Sequence, residues 1–210
     1  MAEQHLDFSL TEARVAIQGF GSVGQHAAIN LANSGAHIVA VADSQGARHA
    51  PGGFDLNALL THKALGHSVT DFAEGAPISM SDLVAVPCDV WIPAARPDVI
   101  TLQNVASMQT QVIVQGANIP ISLDAESWLA GRGVAVIPDF VANAGGVICA
   151  AVEFHQGSEH DALTTIKEKI SYNVDEVLTL SIARSELPRR TALDIAQRRV
   201  REAMTFRKSW

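Results

Sequence analysis

Apolar residues come in short unbroken runs at 15–18, 38–43, 90–93, 112–115 and 134–138, and the stretches between them carry helical spacing. Runs of about five residues without polar alternation mark strands covered on both faces, and intervening helices make such strands parallel. Helices are expected at 22–34, 56–65, 101–108, 123–130 and 144–156, with a turn-rich loop between Asp43 and Asp55. The class is therefore α/β, with a doubly wound parallel sheet.

After Gly157 the period changes. Leu163, Ile166, Ile170, Val174, Val177, Leu178 and Ile182 fall three or four apart, one stripe of a long helix that Ser158-x-x-Asp161 opens as a capping box. Pro188 is expected to end that helix or its tail, and Thr191-x-x-Asp194 to start another that carries Leu193, Ala196, Val200 and Ala203. The chain thus divides into a sheet-bearing part, 1–157, and a helical extension, 158–210. The apolar stripes of the extension either cover the sheet or reach toward another lobe.

Candidate chemistry sits at the first strand-to-helix junction, Arg14-Val-Ala-Ile-Gln-Gly-Phe-Gly-Ser-Val-Gly24. Gly19 permits a tight turn, Gly21 lets backbone approach a pyrophosphate, and Gly24 allows close packing of helix on strand. The helix N-terminus then faces the negative charge. With Phe20, Ser22 and Val23 these glycines form a candidate dinucleotide loop of Rossmann type. Asp43 closes the second strand, where a carboxylate accepts both hydroxyls of an adenosine ribose and repels a 2′-phosphate, so NAD is favoured. Arg48 is near enough in sequence to meet a 2′-phosphate, which keeps NADP open.

Composition narrows the rest. The 210 residues are 48% apolar with a net charge of −7, a folded chain too acidic to have nucleic acid as its main partner. The N-terminus lacks a basic region followed by an apolar one, so a cytoplasmic location is expected. The best candidate membrane span, 134–152, is broken by Pro138, Asp139 and Asn143. Cys88 and Cys149 lie far apart in apolar surroundings and read as buried thiols. The eight histidines include no His-Glu-x-x-His pair, so no metal site is expected. Phe20 stands where a Gly-x-Ser-x-Gly nucleophile elbow needs glycine. Residues 184–210 hold eight of the fifteen Lys and Arg, a solvated face or docking edge.

Four segments in order resemble the cofactor-binding domain of the glutamate/leucine/phenylalanine/valine dehydrogenase family, closest to its glutamate dehydrogenase branch. They are Ile17-Gln-Gly-Phe-Gly-Ser-Val-Gly24, Trp91-Ile-Pro-Ala-Ala95, Gln115-Gly-Ala-Asn118 and Ile137-Pro-Asp-Phe-Val-Ala-Asn-Ala-Gly-Gly-Val147. The resemblance implies NAD-dependent oxidative deamination or reductive amination of an amino acid. Ala94 and Ala95 would then lie against adenosine or ribose, Asn118 would reach a ribose or the nicotinamide, and Asn143 would pair with the carboxamide. Asn143 also fits a helix cap and Asn118 a turn. The family commonly has Glu where Gln115 stands.

The chemistry further needs a base, a carboxylate and cationic clamps for substrate. In the family these come from an N-terminal domain with an active-site lysine beside glycines. The four lysines here, Lys63, Lys167, Lys169 and Lys208, have no such setting, and Lys63 is expected on a surface helix. No residue of this chain is therefore expected to be catalytic. The chain reads as a cofactor half that would be inactive alone and would meet its amino-acid substrate through a separate domain, with homo-oligomers possible. The competing reading is a non-catalytic dinucleotide-responsive module that docks through its basic helices.

Overall fold

The computed structural model describes residues 5, 6 and 8–207. A seven-stranded sheet organises the chain: β1 (Arg14–Gln18), β2 (His37–Ala42), β3 (Ala47–His49), β4 (Ala76–Ile78), β5 (Val90–Pro93), β6 (Val112–Val114) and β7 (Ala135–Ile137). The order across it is β4-β3-β2-β1-β5-β6-β7. β1 pairs in parallel with both β2 and β5, and β5-β6-β7 continue in parallel, as the five apolar runs predict.

The helices are α1 (Ser22–Asn33), α2 (Leu56–Ala64), α3 (Met80–Ala85), α4 (Leu123–Gly131), α5 (Asp139–Ala142), α6 (Gly145–Phe154), α7 (Glu159–Arg184) and α8 (Pro188–Arg207). Side chains alternate between two cores, one on each face of the sheet. Val15, Ile17, Val90 and Ile92 enter one, while Ala16, Trp91, Ile113 and Val136 enter the other. Strands buried this way need no polar face, which is why their sequences show none. One irregularity lies in β2, where the register with β1 shifts between Val15 and Ala16. There Val39 and Ala40 fall in the same core despite being adjacent.

Several expectations need correction. The segment expected as a loop after Asp43 forms β3, which pairs antiparallel with β2 and β4, so this edge of the sheet is not parallel. Asp43 accepts from the Gln45 N–H at 3.0 Å, and its own N–H donates to the Gly46 carbonyl at 2.9 Å, which closes a hairpin turn in four residues. The helix expected at 101–108 shrinks to one 3-10 turn, Val105–Ser107. Asn104 takes its place, accepting from the Thr101 N–H and donating to the Val99 carbonyl, the local competition by which Asn side chains displace helix. α3, opened by a Ser79–Asp82 capping box, was not expected.

The capping box at Ser158 and Asp161 opens α7 as predicted. Pro188 does not end that helix. A left-handed Ser185 caps α7, and Pro188 is the first residue of α8, where a missing N–H costs nothing. Thr191 consequently lies inside the first turn of α8 and is fully buried. The side of α8 that packs inward carries Ala192 and Ile195 against Val141 and Val177. The expected stripe of α8 faces out instead, with Leu193 and Val200 exposed, and so do Leu163 and Ile182 of α7. α6 buries no residue, and its Val147 and Phe154 are 78% and 83% exposed. Cys88 is buried, but Cys149 on α6 is only half-buried and lies 3.6 Å from the Glu153 carboxylate. No helix among the described residues is long and apolar enough to cross a membrane, and they hold no cluster of three or more His, Cys, Asp or Glu fit for a metal ion.

Candidate functional site

The carboxyl ends of β1 and β5 point the same way while the connections that follow them pack on opposite faces, α1 through Ala28 and the 3-10 turn through Val105, which opens a crevice between them. A cleft of about 790 Å³ lies there, lined by Gly19, Gly21, Asp43, Lys63, Ala94 and Ala95 among others. Gly19 has φ +101°, and a Cβ on it would come within 2.7 Å of Ala95 Cβ and 2.8 Å of the Ala94 carbonyl carbon. A Cβ on Gly24 would run into the Gly19 carbonyl oxygen. Gly21 differs from both: a Cβ there would meet nothing within 4 Å. Two glycines are needed for the fold, and the third borders open space.

That space lies over the start of α1. Gly21 is its N-cap and supplies no side-chain acceptor, and no acid stands in the first turn. The first N–H groups of the helix are left to bind an anion. Phe20 contributes shape alone, since it is 1% exposed, its N–H donates to the Ala42 carbonyl, and its carbonyl accepts from Gln25 Nε2. Ser22 and Val23 are exposed and Gly24 is buried, and none of the three lines the cleft.

At the β2 end Asp43 is engaged more fully than sequence reasoning foresaw. Its Oδ2 accepts from Lys63 Nζ at 2.8 Å and the Val69 N–H at 2.8 Å, its Oδ1 accepts from the Gln45 N–H, and Ser68 Oγ lies 2.9 and 3.1 Å from the two oxygens. Burial pushes the Asp43 carboxyl up, but Lys63 and the three other donors outweigh it and hold it at about 2. Lys63 is therefore no free surface lysine; its side chain is 16% exposed. Arg48 is likewise spent, donating to the carbonyls of Glu74, Thr70 and Gly75.

Beyond β5 the sequence-predicted residues gather at the strand ends. Ala94 donates to the Gln18 carbonyl, and the Gly116 and Ala117 N–H groups both donate to the Pro93 carbonyl at 3.0 and 2.8 Å. Asn118 and Asn143 meet: Asn143 Nδ2 donates to Asn118 Oδ1 at 2.7 Å. Asn143 does not open α6, as expected, but ends α5. Neither asparagine lines the cleft itself. From β2 to β6 is three strand spacings, roughly 14 Å, so the predicted residues form one band along the sheet's edge.

Two features were missed. Gln18, at the end of β1, is 3% exposed, lines the cleft, and its Oε1 has no partner among the described residues. A polar residue closing an apolar run was the available signal. The second is a buried cluster under β6 and β7. Arg189, from the first turn of α8, donates to Glu126 Oε2 at 2.8 Å, Asp139 Oδ1 at 3.0 Å and Gln115 Oε1 at 3.0 Å. Burial pulls the Arg189 guanidinium down, yet the two carboxylates raise its pKa above the usual arginine value. Burial likewise pushes Asp139 up, and the Ile119 N–H and Arg189 more than reverse it. The basic terminal segment thus turns one arginine inward, while Arg198 and Arg199 pair with Glu176 on the surface.

The profile of the glutamate/leucine/phenylalanine/valine dehydrogenase family matches residues 1–208. The chain is 43% identical over 153 residues to an NAD-specific glutamate dehydrogenase A of Halobacterium salinarum, covering 73% of this chain and 35% of that one. It is 36% identical over 177 residues to an NADP-specific glutamate dehydrogenase A1 of the same organism, covering 83% and 42%. Among solved structures, a hetero-hexameric glutamate dehydrogenase from Thermus thermophilus superposes with a TM-score of 0.85 at 26% identity, over 100% of this chain and 50% of that one. The chain spans about half the length of the full-coverage relatives. With the profile matched over residues 1–208 and relatives 37% and 33% identical over nearly the whole chain, this chain belongs to the glutamate/leucine/phenylalanine/valine dehydrogenase family.

Proposed function

We propose that the chain is the cofactor-binding half of an amino-acid dehydrogenase of glutamate type, and that its cleft holds a nicotinamide dinucleotide. The observation that carries this reading is the open space at Gly21 over an uncapped helix N-terminus. A diphosphate fits there, taking N–H groups from Gly21 to Gly24 at the start of α1, including those of Ser22 and Val23, while Gly19 and Phe20, whose N–H groups donate to the Ala42 carbonyl, are its framework. The adenosine then runs toward Asp43, and the nicotinamide past Ala94 and Ala95 toward Asn118 and Asn143. An amide such as Asn143 suits a carboxamide, and fixing that group fixes which ring face is presented. When bound, the cofactor supplies hydride transfer to or from the α-carbon of an amino or imino acid.

The substrate is held in this reading by a separate domain, for which the exposed apolar residues of α6 and α7 form the seat. Support comes from the lysines. Lys63 is paired with Asp43, Lys167 and Lys169 are exposed on α7, and Lys208 lies outside the described residues. Among the described residues no lysine is hydrogen-bonded to either asparagine, so the chain alone is expected to bind cofactor and turn over nothing.

Cofactor choice follows from the state of Asp43. Its charge is countered by Lys63, which weakens its power to reject a 2′-phosphate, and Arg48 has no free donor aimed at one. NAD is bound preferentially and NADP tolerated. Calorimetric titration tests both points: NADH should bind, with NADPH weaker by less than about tenfold, or about 1.4 kcal/mol. Absence of binding by either would overturn the reading.

A further inference from the structure

The Arg189 cluster touches the asparagine pair through one residue. Asp139 Oδ2 accepts from the Ile119 N–H at 2.8 Å, directly after Asn118. The Asp139 carbonyl accepts from the Asn143 N–H, also at 2.8 Å. Its other carboxylate oxygen is held by Arg189 Nη1. One residue therefore straps both asparagines, and α8 fixes that residue from the far end of the chain.

The strap has something to resist. Ile119 has φ +49°, a left-handed conformation that a β-branched residue adopts at a cost. Its N–H on a carboxylate is a charge-assisted bond, stronger than a neutral one. The remaining groups of the cluster hold the carboxylate in place: Arg189 is planar, and it reaches Glu126 and Gln115 as well as Asp139.

We infer that Asp139 and Arg189 are positioning residues for the nicotinamide end of the cofactor, acting through the Asn118–Asn143 pair and leaving the adenosine diphosphate end untouched. The inference rests on the proposed cofactor reading. It extends that reading by giving the terminal helix a part in holding the site.

Titration of the full chain with NADH and with ADP-ribose, which lacks the nicotinamide, separates the two. In Asp139→Asn one oxygen is lost, so the side chain cannot serve both Ile119 and Arg189. NADH affinity should fall about tenfold, the value of one well-made hydrogen bond, while ADP-ribose affinity holds. Arg189→Lys should shift NADH the same way by less, because one ammonium cannot reach three acceptors in a plane. Glu176→Gln loosens the surface pairs of α8 with α7 at Arg198 and Arg199, outside the cluster, and should leave the ratio of the two affinities unchanged. Equal losses for both ligands in Asp139→Asn and Arg189→Lys would overturn the inference, as would no loss for either ligand in both, or a Glu176→Gln ratio shift as large as theirs. Wild-type chain that binds ADP-ribose no more weakly than NADH would also overturn it. Failure to bind ADP-ribose at all would instead sink the cofactor reading.

Discussion

The two ends of the band along the sheet's carboxyl edge each hold a largely buried carboxylate on a cation, yet they are assembled differently. At the β2 end Asp43 draws its partners from Gln45, two residues on, and from 20 to 26 residues away, in α2 and the turn that follows it. At the β7 end Glu126 and Asp139 depend on an arginine 63 and 50 residues further on, outside the sheet-bearing part altogether. The first end is a local unit with spare donors. The second has one cation for two acids, and Glu126 Oε1 has no hydrogen-bond partner among the described residues. Gln115 fits this balance, since a third acid around one guanidinium would leave a further buried charge uncompensated.

Gly21→Val separates the two ends by filling the space between them, and should have the largest effect. The φ of −90° suits valine and a Cβ meets nothing within 4 Å, so far-ultraviolet circular dichroism should be unchanged. Affinity for NADH should fall by more than about a hundredfold, or about 2.7 kcal/mol. Retained affinity would reduce the loop to a turn.

Next comes the cation at each end. Arg189→Met leaves two buried carboxylates unpaired and should cost about 3–5 kcal/mol in a urea melt at neutral pH. Lys63→Met removes one donor from an acid that keeps Ser68, Val69 and Gln45, and should cost less, about 1.5–3 kcal/mol. Equal losses would erase the contrast between the ends. The same variant frees the charge of Asp43, so discrimination against NADPH should rise.

The smallest effect is in pH. Asp43 is depressed from 3.8 to about 2, so its contribution to stability is complete above about 4 and is lost as pH falls through about 2. Urea melts between pH 5 and pH 2 should show this decline in wild type and a shallower one in Lys63→Met.

How much of this could be read beforehand follows the same division. The glycine loop, five strands and the capping box of α7 are encoded by neighbours, and they stood out in the sequence. β3 (Ala-Arg-His) and β4 (Ala-Pro-Ile) lack the apolar run that marks the equally short β6 and β7, and are held by the hairpin turn at Asp43 and by pairing with each other. Asp43 was found as a strand-end acid, but its saturation depends on Lys63 and Ser68, which carry no mark of their own. Arg189 looked like one more basic residue on a terminal helix. Nothing local distinguishes it from Arg190, which is exposed and pairs with Asp194. The asparagines were legible as residues and not as a pair, because their meeting depends on how β6 and β7 end.

A crystal structure of the chain soaked with ADP-ribose tests the central claim most directly. The diphosphate should lie over Gly21, with phosphate oxygens accepting from N–H groups at the start of α1 and the ribose toward Asp43. Density elsewhere, or a loop whose N–H groups stay turned from the ligand, would contradict it.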